Sequence, residues 1–176
     1  ARSQSARLES LAKASVSIAD RFSARHDQLY ATFAAVADEA RIVADADYCA
    51  LGFAHDVEHS FEPWAFSGMT NVVAEALGRP PRPVGVLGEI WREGQPLRLP
   101  DLTKHPRFGG LPEHHPPLGP FLGIPLLHEG KNVGNLYLAR SPGKPAFTDN
   151  DERAATLLAT FVAVAIENVR LFAEAQ

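Results

Sequence analysis

The sequence predicts an α+β fold, a central antiparallel sheet of five or six strands with helices on both faces. Two observations carry this. Apolar residues at both ends of the chain recur at three- and four-residue spacing, as on amphipathic helices, whereas the middle alternates in short segments. The strands that can be read there follow one another as hairpins without βαβ alternation, which implies antiparallel pairing. The terminal helices then share one face of the sheet, and short helices with a long loop cover the other.

The elements follow in order. From Leu8 to Val43, Leu8, Leu11, Ile18, Phe22, Leu29, Phe33, Val36 and Val43 form one helical stripe that no Gly or Pro interrupts. This is either a single helix or two helices meeting near Arg25-His26-Asp27. Its first half has room for two or three heptads of coiled coil, which Ser15 in the seam weakens. Asp45-Ala46-Asp47 breaks the pattern, and Tyr48 to Phe53 reads as a strand. A polar turn from His55 to Ser60 precedes a second strand, Phe61 to Phe66, which Pro63 marks as an edge. Short helices follow over Asn71 to Leu77, ended by Gly78, and over Val86 to Glu93, ended by Gly94. The prolines between Arg79 and Pro83 keep that link out of a helix.

A brief strand, Leu97 to Leu99, leads into a segment from Pro100 to Pro120 with six prolines and the pair Gly109-Gly110. An irregular stretch of that size inside a compact domain tends to be functional. Because it also carries Leu102, Phe108, Leu111 and Leu118, it is expected to form one wall of a pocket against the sheet. Phe121 to Leu127 and Val133 to Ala139 form a hairpin around a turn at His128 to Asn132. The last helix begins at Thr148, which makes a capping box with Asp151. It is apolar on two adjacent stripes: Leu157, Phe161, Val164 and Leu171, and beside them Leu158, Val162, Ala165, Val169 and Phe172. One stripe packs on the sheet. The other needs a cover, either the N-terminal helix or a partner subunit.

Bulk properties narrow the function classes. A chain of 176 residues, 45% hydrophobic and 22% charged, suits one globular domain. A formal net charge of −4 argues against a nucleic-acid or anionic-membrane surface. No apolar run has the length of a membrane span, and no signal-peptide core opens the chain. The single Cys49 excludes an internal disulfide framework and a multi-cysteine zinc site, and fits a cytoplasmic setting. The seven histidines offer no set of three or four metal ligands: His55 and His59 share a polar turn, and His114 and His115 point apart. There is no phosphate-binding Gly-rich loop, no Gly-x-Ser-x-Gly and no His-Glu-x-x-His, so the domain itself is expected not to be an enzyme. The polar start and the end in mid-helix predict a piece cut from a longer protein.

Several segments together resemble the GAF domain, a ligand-sensing fold of bacterial histidine kinases, phytochromes, cyclic-nucleotide phosphodiesterases and transcriptional activators. They are Pro96 to Leu102, His105-Pro106, His115-Pro116-Pro117-Leu118, Phe121 to Pro125, Gly134-Asn135-Leu136-Tyr137-Leu138, Phe147 to Glu152 and Ala165 to Leu171. The resemblance implies a linker helix over 1–28, the sensory domain over 29–172 and a further linker helix from 173 to 176. It also implies a homodimer through the terminal helices, an effector in the same chain (a histidine kinase first of all) and a small-molecule ligand.

The His-Pro-Pro-Leu segment followed by Phe-Leu-Gly is similar to a subset in which some members bind haem through that histidine. By position, His115 would be the proximal ligand and Tyr137 the distal residue, although Leu118-Gly119-Pro120 departs from the subset's pattern. The alternatives are that His115 holds loop backbone and that Tyr137 fills core space. The remaining candidate ligand-lining residues are Trp64, Phe66, Trp91, Phe108 and Phe121. Cys49 shares a strand face with Leu51 and Phe53 and reads as a buried small hydrophobe. Three functions therefore stand side by side: a ligand sensor, a ligand-free dimerisation module and a haem sensor. An enzyme similar to the GAF-type free methionine sulfoxide reductases is disfavoured, because that chemistry needs several cysteines.

Overall fold

A computed structural model describes residues 4–22 and 29–175. Two helices, α1 (Gln4–Phe22) and α2 (Leu29–Val43), lead into β1 (Tyr48–Phe53) and β2 (Trp64–Ser67). The short helices α3 (Asn71–Leu77) and α4 (Gly85–Glu93) precede β3 (Leu97–Leu99) and a 3-10 turn at Leu102–Lys104. The hairpin β4 (Phe121–His128) and β5 (Lys131–Ala139) then runs to α5 (Asp149–Ala175). The strands form one antiparallel sheet in the order β2-β1-β5-β4-β3, so β5 lies at its centre.

The sheet separates two cores. On one face Cys49, Leu51, Leu122, Ile124, Leu136 and Leu138 are buried against α2 and α5, and α1 lies across both helices. On the other face Phe61, Phe121 and Tyr137 are buried with Val86 and Ile90 of α4 and Leu102 of the long segment. Strand alternation sets this division, because Leu136 and Leu138 point to the helices while Asn135 and Tyr137 point away. Cys49 lies on the helix face, where burial pushes its thiol up from the ordinary range.

Two local expectations change. The second strand starts at Trp64, not Phe61, because Pro63 has no N–H to give the ladder; β2 is an edge strand as read. The β4–β5 turn is two residues long, with Glu129 at φ 52° and Gly130 at φ 78°, so His128 and Lys131 already pair. The joint between α1 and α2, near Arg25-His26-Asp27, lies outside the described residues.

The capping box is formed at α5: the Thr148 N–H donates to Asp151 Oδ2 at 2.7 Å, and the Asp151 N–H donates to Thr148 Oγ1 at 3.2 Å. Burial alone would raise the Asp151 carboxyl, but the Thr148 N–H and the Arg7 guanidinium outweigh it and hold it low. Of the two apolar stripes on α5, Leu158, Val162 and Ala165 are buried. Leu157, Phe161 and Val164 stay 44%, 46% and 42% exposed, although α1 packs against the same helix. Among the described residues, no helix is long and apolar enough to cross a membrane.

Candidate functional site

The face of the sheet away from α1, α2 and α5 gathers both tryptophans, Tyr137 and several phenylalanines. Tyr137 is only 6% exposed, and its ring is surrounded by Phe61, Trp64 and Phe121 at centroid separations of 6.0, 6.3 and 5.9 Å. Two glycines open the floor beneath these rings. In the sheet register Gly52 stands opposite Asn135, and a Cβ there would lie 2.6 Å from the Trp64 ring. Gly123 stands opposite Tyr137, and a Cβ there would meet Ile90 Cδ1 at 2.2 Å. Any larger residue at either position would lift the indole or α4 off the strands.

The polar groups on this face are left unpaired. Asn135 is wholly buried, and its side-chain nitrogen has no hydrogen-bond partner; neither does the Tyr137 hydroxyl or the Trp91 indole N–H. The Asn135 orientation follows from its neighbour. Asn132 Oδ1 accepts from the Gly134 N–H at 3.0 Å, so its Nδ2 donates, to the Trp91 carbonyl at 3.2 Å and toward Asn135 Oδ1 at 3.5 Å. The Asn135 oxygen therefore turns to Asn132, and its NH2 group is the part without a partner. Burial pushes the Tyr137 hydroxyl well above its ordinary range; the Asn135 amide alongside opposes this without offsetting it or forming a well-shaped hydrogen bond.

The long segment closes over the cluster. Phe108 and Leu118 pack on it, and the Leu102 N–H donates to the Gly119 carbonyl at 2.9 Å. A polar clip ties the segment to α4. His105 Nδ1 accepts the Arg107 N–H at 3.1 Å, so Nε2 carries the proton it shares with Glu89 Oε2 at 3.2 Å, and Arg107 Nε lies 3.7 Å from Glu89 Oε1.

The sequence-predicted residues divide as follows. Trp64, Trp91, Phe108, Phe121 and Tyr137 come together in or against this cluster. Phe66 shares the face by alternation on β2 but lies outside the packed cluster. His115 is part of the long segment, and its Nδ1 donates to the Pro116 carbonyl at 2.7 Å, which is the backbone role considered for it. Asn135 is not among the sequence candidates, although a polar residue alternating with leucines in Gly134-Asn135-Leu136-Tyr137-Leu138 is the signal for it.

The open pocket expected between sheet and loop is instead packed with rings. A cavity of about 530 Å³ opens elsewhere, between α1 and the start of α5, beside Arg7, Leu8, Lys144, Asp151 and Leu157. Two ion pairs border it: Arg7 pairs with Asp151, and Lys144 Nζ lies 2.6 Å from Asp47.

The residues present fit a porphyrin only in part. His115 keeps a lone pair on Nε2 once Nδ1 donates. The rings around Tyr137, however, are in direct contact range, which leaves no slot for a macrocycle against it. Among the described residues no group of three histidine, cysteine or acidic side chains is placed to hold a metal ion.

An antiparallel sheet with helices on one face and a loop-covered aromatic cluster on the other defines the class, an α+β domain. The family model for the GAF domain matches residues 26–167, and the chain belongs to that family. Its fold is similar to the GAF domain of a phosphoenolpyruvate-protein phosphotransferase from Coxiella burnetii, at 23% identity over 94% of this chain and 98% of that one, with a TM-score of 0.74. It is also similar to free methionine-R-sulfoxide reductase from Neisseria meningitidis, solved with its substrate, at 19% identity, coverages of 97% and 95%, and a TM-score of 0.75. The GAF domain of a candidate sensor histidine kinase from Pseudomonas syringae pv. tomato matches at 21% identity, coverages of 98% and 95%, and a TM-score of 0.63.

One consequence can be measured without a ligand. A buried hydroxyl with no partner destabilises the free domain, so Tyr137→Phe is expected to raise its stability by about 1 kcal/mol, or roughly 2–4 °C in Tm. A drop in Tm by calorimetry would mean that the hydroxyl has a structural partner.

Proposed function

We propose that this domain senses a small molecule on the loop-covered face and reports its presence through α1 and α5 to an effector in the same protein, most simply a sensor histidine kinase. The observation that carries this is the presence of three buried, unpaired polar groups in and beside one aromatic cluster: Trp91 Nε1, Asn135 Nδ2 and Tyr137 Oη. Buried polar atoms are nearly always paired, so such a set calls for a ligand to complete it. Trp64, Phe108 and Phe121 would line the site with Trp91 and Tyr137, Phe66 would flank it, and His115 would hold the loop that covers it.

The route to the helices is physical. β5 carries Asn135 and Tyr137 at its centre and is followed directly by Arg140, whose guanidinium donates to the Ala44 and Asp45 carbonyls at the α2–β1 corner. Arg140 Nη2 also lies 3.7 Å from Asp151 at the head of α5, and Arg7 of α1 pairs with the same carboxylate. A ligand shifts this assembly only by binding two helix arrangements with different affinity. The exposed stripe on α5 supports a second copy of the chain as the partner of this arrangement.

A second reading, dimerisation without a ligand, is favoured by the tight packing around Tyr137. Screening small molecules by thermal shift separates the two. A true ligand at a hundred times its Kd adds about 2.7 kcal/mol, a rise of roughly 5–10 °C that grows with concentration. A hit whose effect is lost in Asn135→Leu supports the sensor; a library without any concentration-dependent hit supports the dimerisation module.

A further inference from the structure

We propose that the ligand of this face is an uncharged, planar molecule that presents hydrogen-bond acceptors; this rests on the ligand-sensing reading above. The unpaired groups are donors. The Trp91 indole N–H can only donate, the free end of Asn135 is its NH2 group, and the Tyr137 hydroxyl has a proton that nothing accepts. Burial holds that proton on, so Tyr137 offers an O–H and not a phenolate. A molecule with acceptors suits each of these groups, whereas an ammonium group would bring more donors to a face already full of them.

Charge on the ligand is disfavoured from the other side. The fully buried polar or charged side chains among the described residues are Thr32, Ser67, Asn135, Arg140, Asp151 and Glu167. Only Asn135 stands on this face. Thr32 belongs to α2, Ser67 hydrogen-bonds Asp38 and Arg41 of α2, Arg140 alternates to the helix side, and Asp151 and Glu167 lie on α5. Three charged groups between the loop and α4, Glu89, His105 and Arg107, are occupied with one another in the clip. A carboxylate, phosphate or ammonium bound beneath the loop would stand buried without a counter-charge, and that is strongly unfavourable.

Planarity follows from the walls. The rings of Phe121 and Tyr137 lie 28° from parallel at 5.9 Å, and Trp64 stands 48° from Tyr137 at 6.3 Å. Opening the loop side, where Phe108 and Leu118 pack on the cluster, uncovers ring faces on which a flat molecule recovers the lost contacts.

The test uses the whole 176-residue chain, labelled with 15N, and follows the Trp91 indole and Asn135 side-chain signals. The probes are 4-quinolone, coumarin and caffeine as uncharged planar acceptors, and kynurenate, cyclic GMP and methionine sulfoxide as charged counterparts. Kynurenate is 4-quinolone carrying a carboxylate, so that pair isolates the charge. At least one uncharged probe is expected to give a saturable shift of the Trp91 indole signal, and 4-quinolone to bind at least about tenfold tighter than kynurenate. Tyr137→Phe, which keeps the ring, is expected to weaken the uncharged probe by about tenfold, the loss of one buried hydrogen bond; Asn135→Leu is expected to do the same. Tighter binding of kynurenate, cyclic GMP or methionine sulfoxide, with the same signals shifting, would overturn the ligand class and leave the sensing role standing. No saturable shift with any of the six would overturn both.

Discussion

Arg140→Ala is expected to destabilise the domain by about 3–5 kcal/mol, lowering Tm by roughly 6–20 °C. The side chain is nearly buried and its guanidinium is used throughout. Nε donates to the Asp45 carbonyl at 3.0 Å, Nη2 to Ala44 at 2.9 Å, and Nη1 to Pro145 at 3.0 Å and Ala146 at 3.3 Å. The guanidinium carbon also lies 4.1 Å from the centroid of the Phe147 ring, and Asp151 stands 3.7 Å away. Truncation leaves four carbonyls without their donor and removes one of the two arginines beside the Asp151 carboxylate, and unpaired buried groups cost far more than the net worth of a paired set. Lysine is expected to recover little, because one ammonium cannot reach a forked set of acceptors. Arg98→Ala makes the control: Arg98 also pairs with α5 acids, Asp149 at 2.6 Å and Glu152 at 3.8 Å, but at the solvent-screened surface, so its loss is expected to be far smaller than that of Arg140. Urea unfolding of the three variants at unchanged m-value checks the order. Equal losses for Arg98 and Arg140 would show that the corner is held by packing alone.

The contrast between these arginines shows what the sequence could disclose. Local signals were legible. The capping box at Thr148 and Asp151, the glycines that end α3 and α4, and the alternation that puts Tyr137 opposite the helices all rest on residues a few positions apart. Arg140 was not legible as a linchpin, since its acceptors at Ala44 and Asp45 lie 96 and 95 positions earlier. The same reason hid the floor of the site. Gly52 and Gly123 matter because the sheet register sets them beside Asn135 and Tyr137, and register between distant strands is fixed by the folded whole. The hairpin turn was misjudged for a local reason: Glu129 accepts a left-handed conformation that a non-glycine residue adopts only sparingly, and the bulge between Leu126 and Leu127 absorbs the offset. The pocket was misjudged for a volumetric one, because spacing places aromatic rings on a face but says nothing of whether they meet.

The second large effect concerns association: with a second copy proposed as the cover of the α5 stripe, Phe161→Glu is expected to turn that dimer into a monomer. Leu157, Phe161 and Val164 follow one another at spacings of four and three, and Leu171 continues the series one heptad beyond Val164. The three described side chains remain close to half exposed although α1 lies against the same helix. Leu8 of α1, 56% exposed, borders the same cleft as Leu157, so the apolar surface runs across both helices. Covering each of these side chains is worth on the order of 1 kcal/mol, counted on both copies of a symmetric contact. A glutamate at the middle of that seam places two like charges where two rings would meet, and the dissociation constant is expected to rise about a hundredfold or more. Because Phe161 does not belong to either core, the monomer should keep its thermal transition close to that of the parent at low protein concentration. Sedimentation velocity across a concentration series reads the change directly. A parent domain that stays monomeric at the highest concentration would remove the second copy as the cover of this stripe, and any signal leaving through α5 would then have to act on an effector within one chain. A dimer that survives the substitution would place the contact elsewhere, and the exposed stripe would be left for that effector to cover.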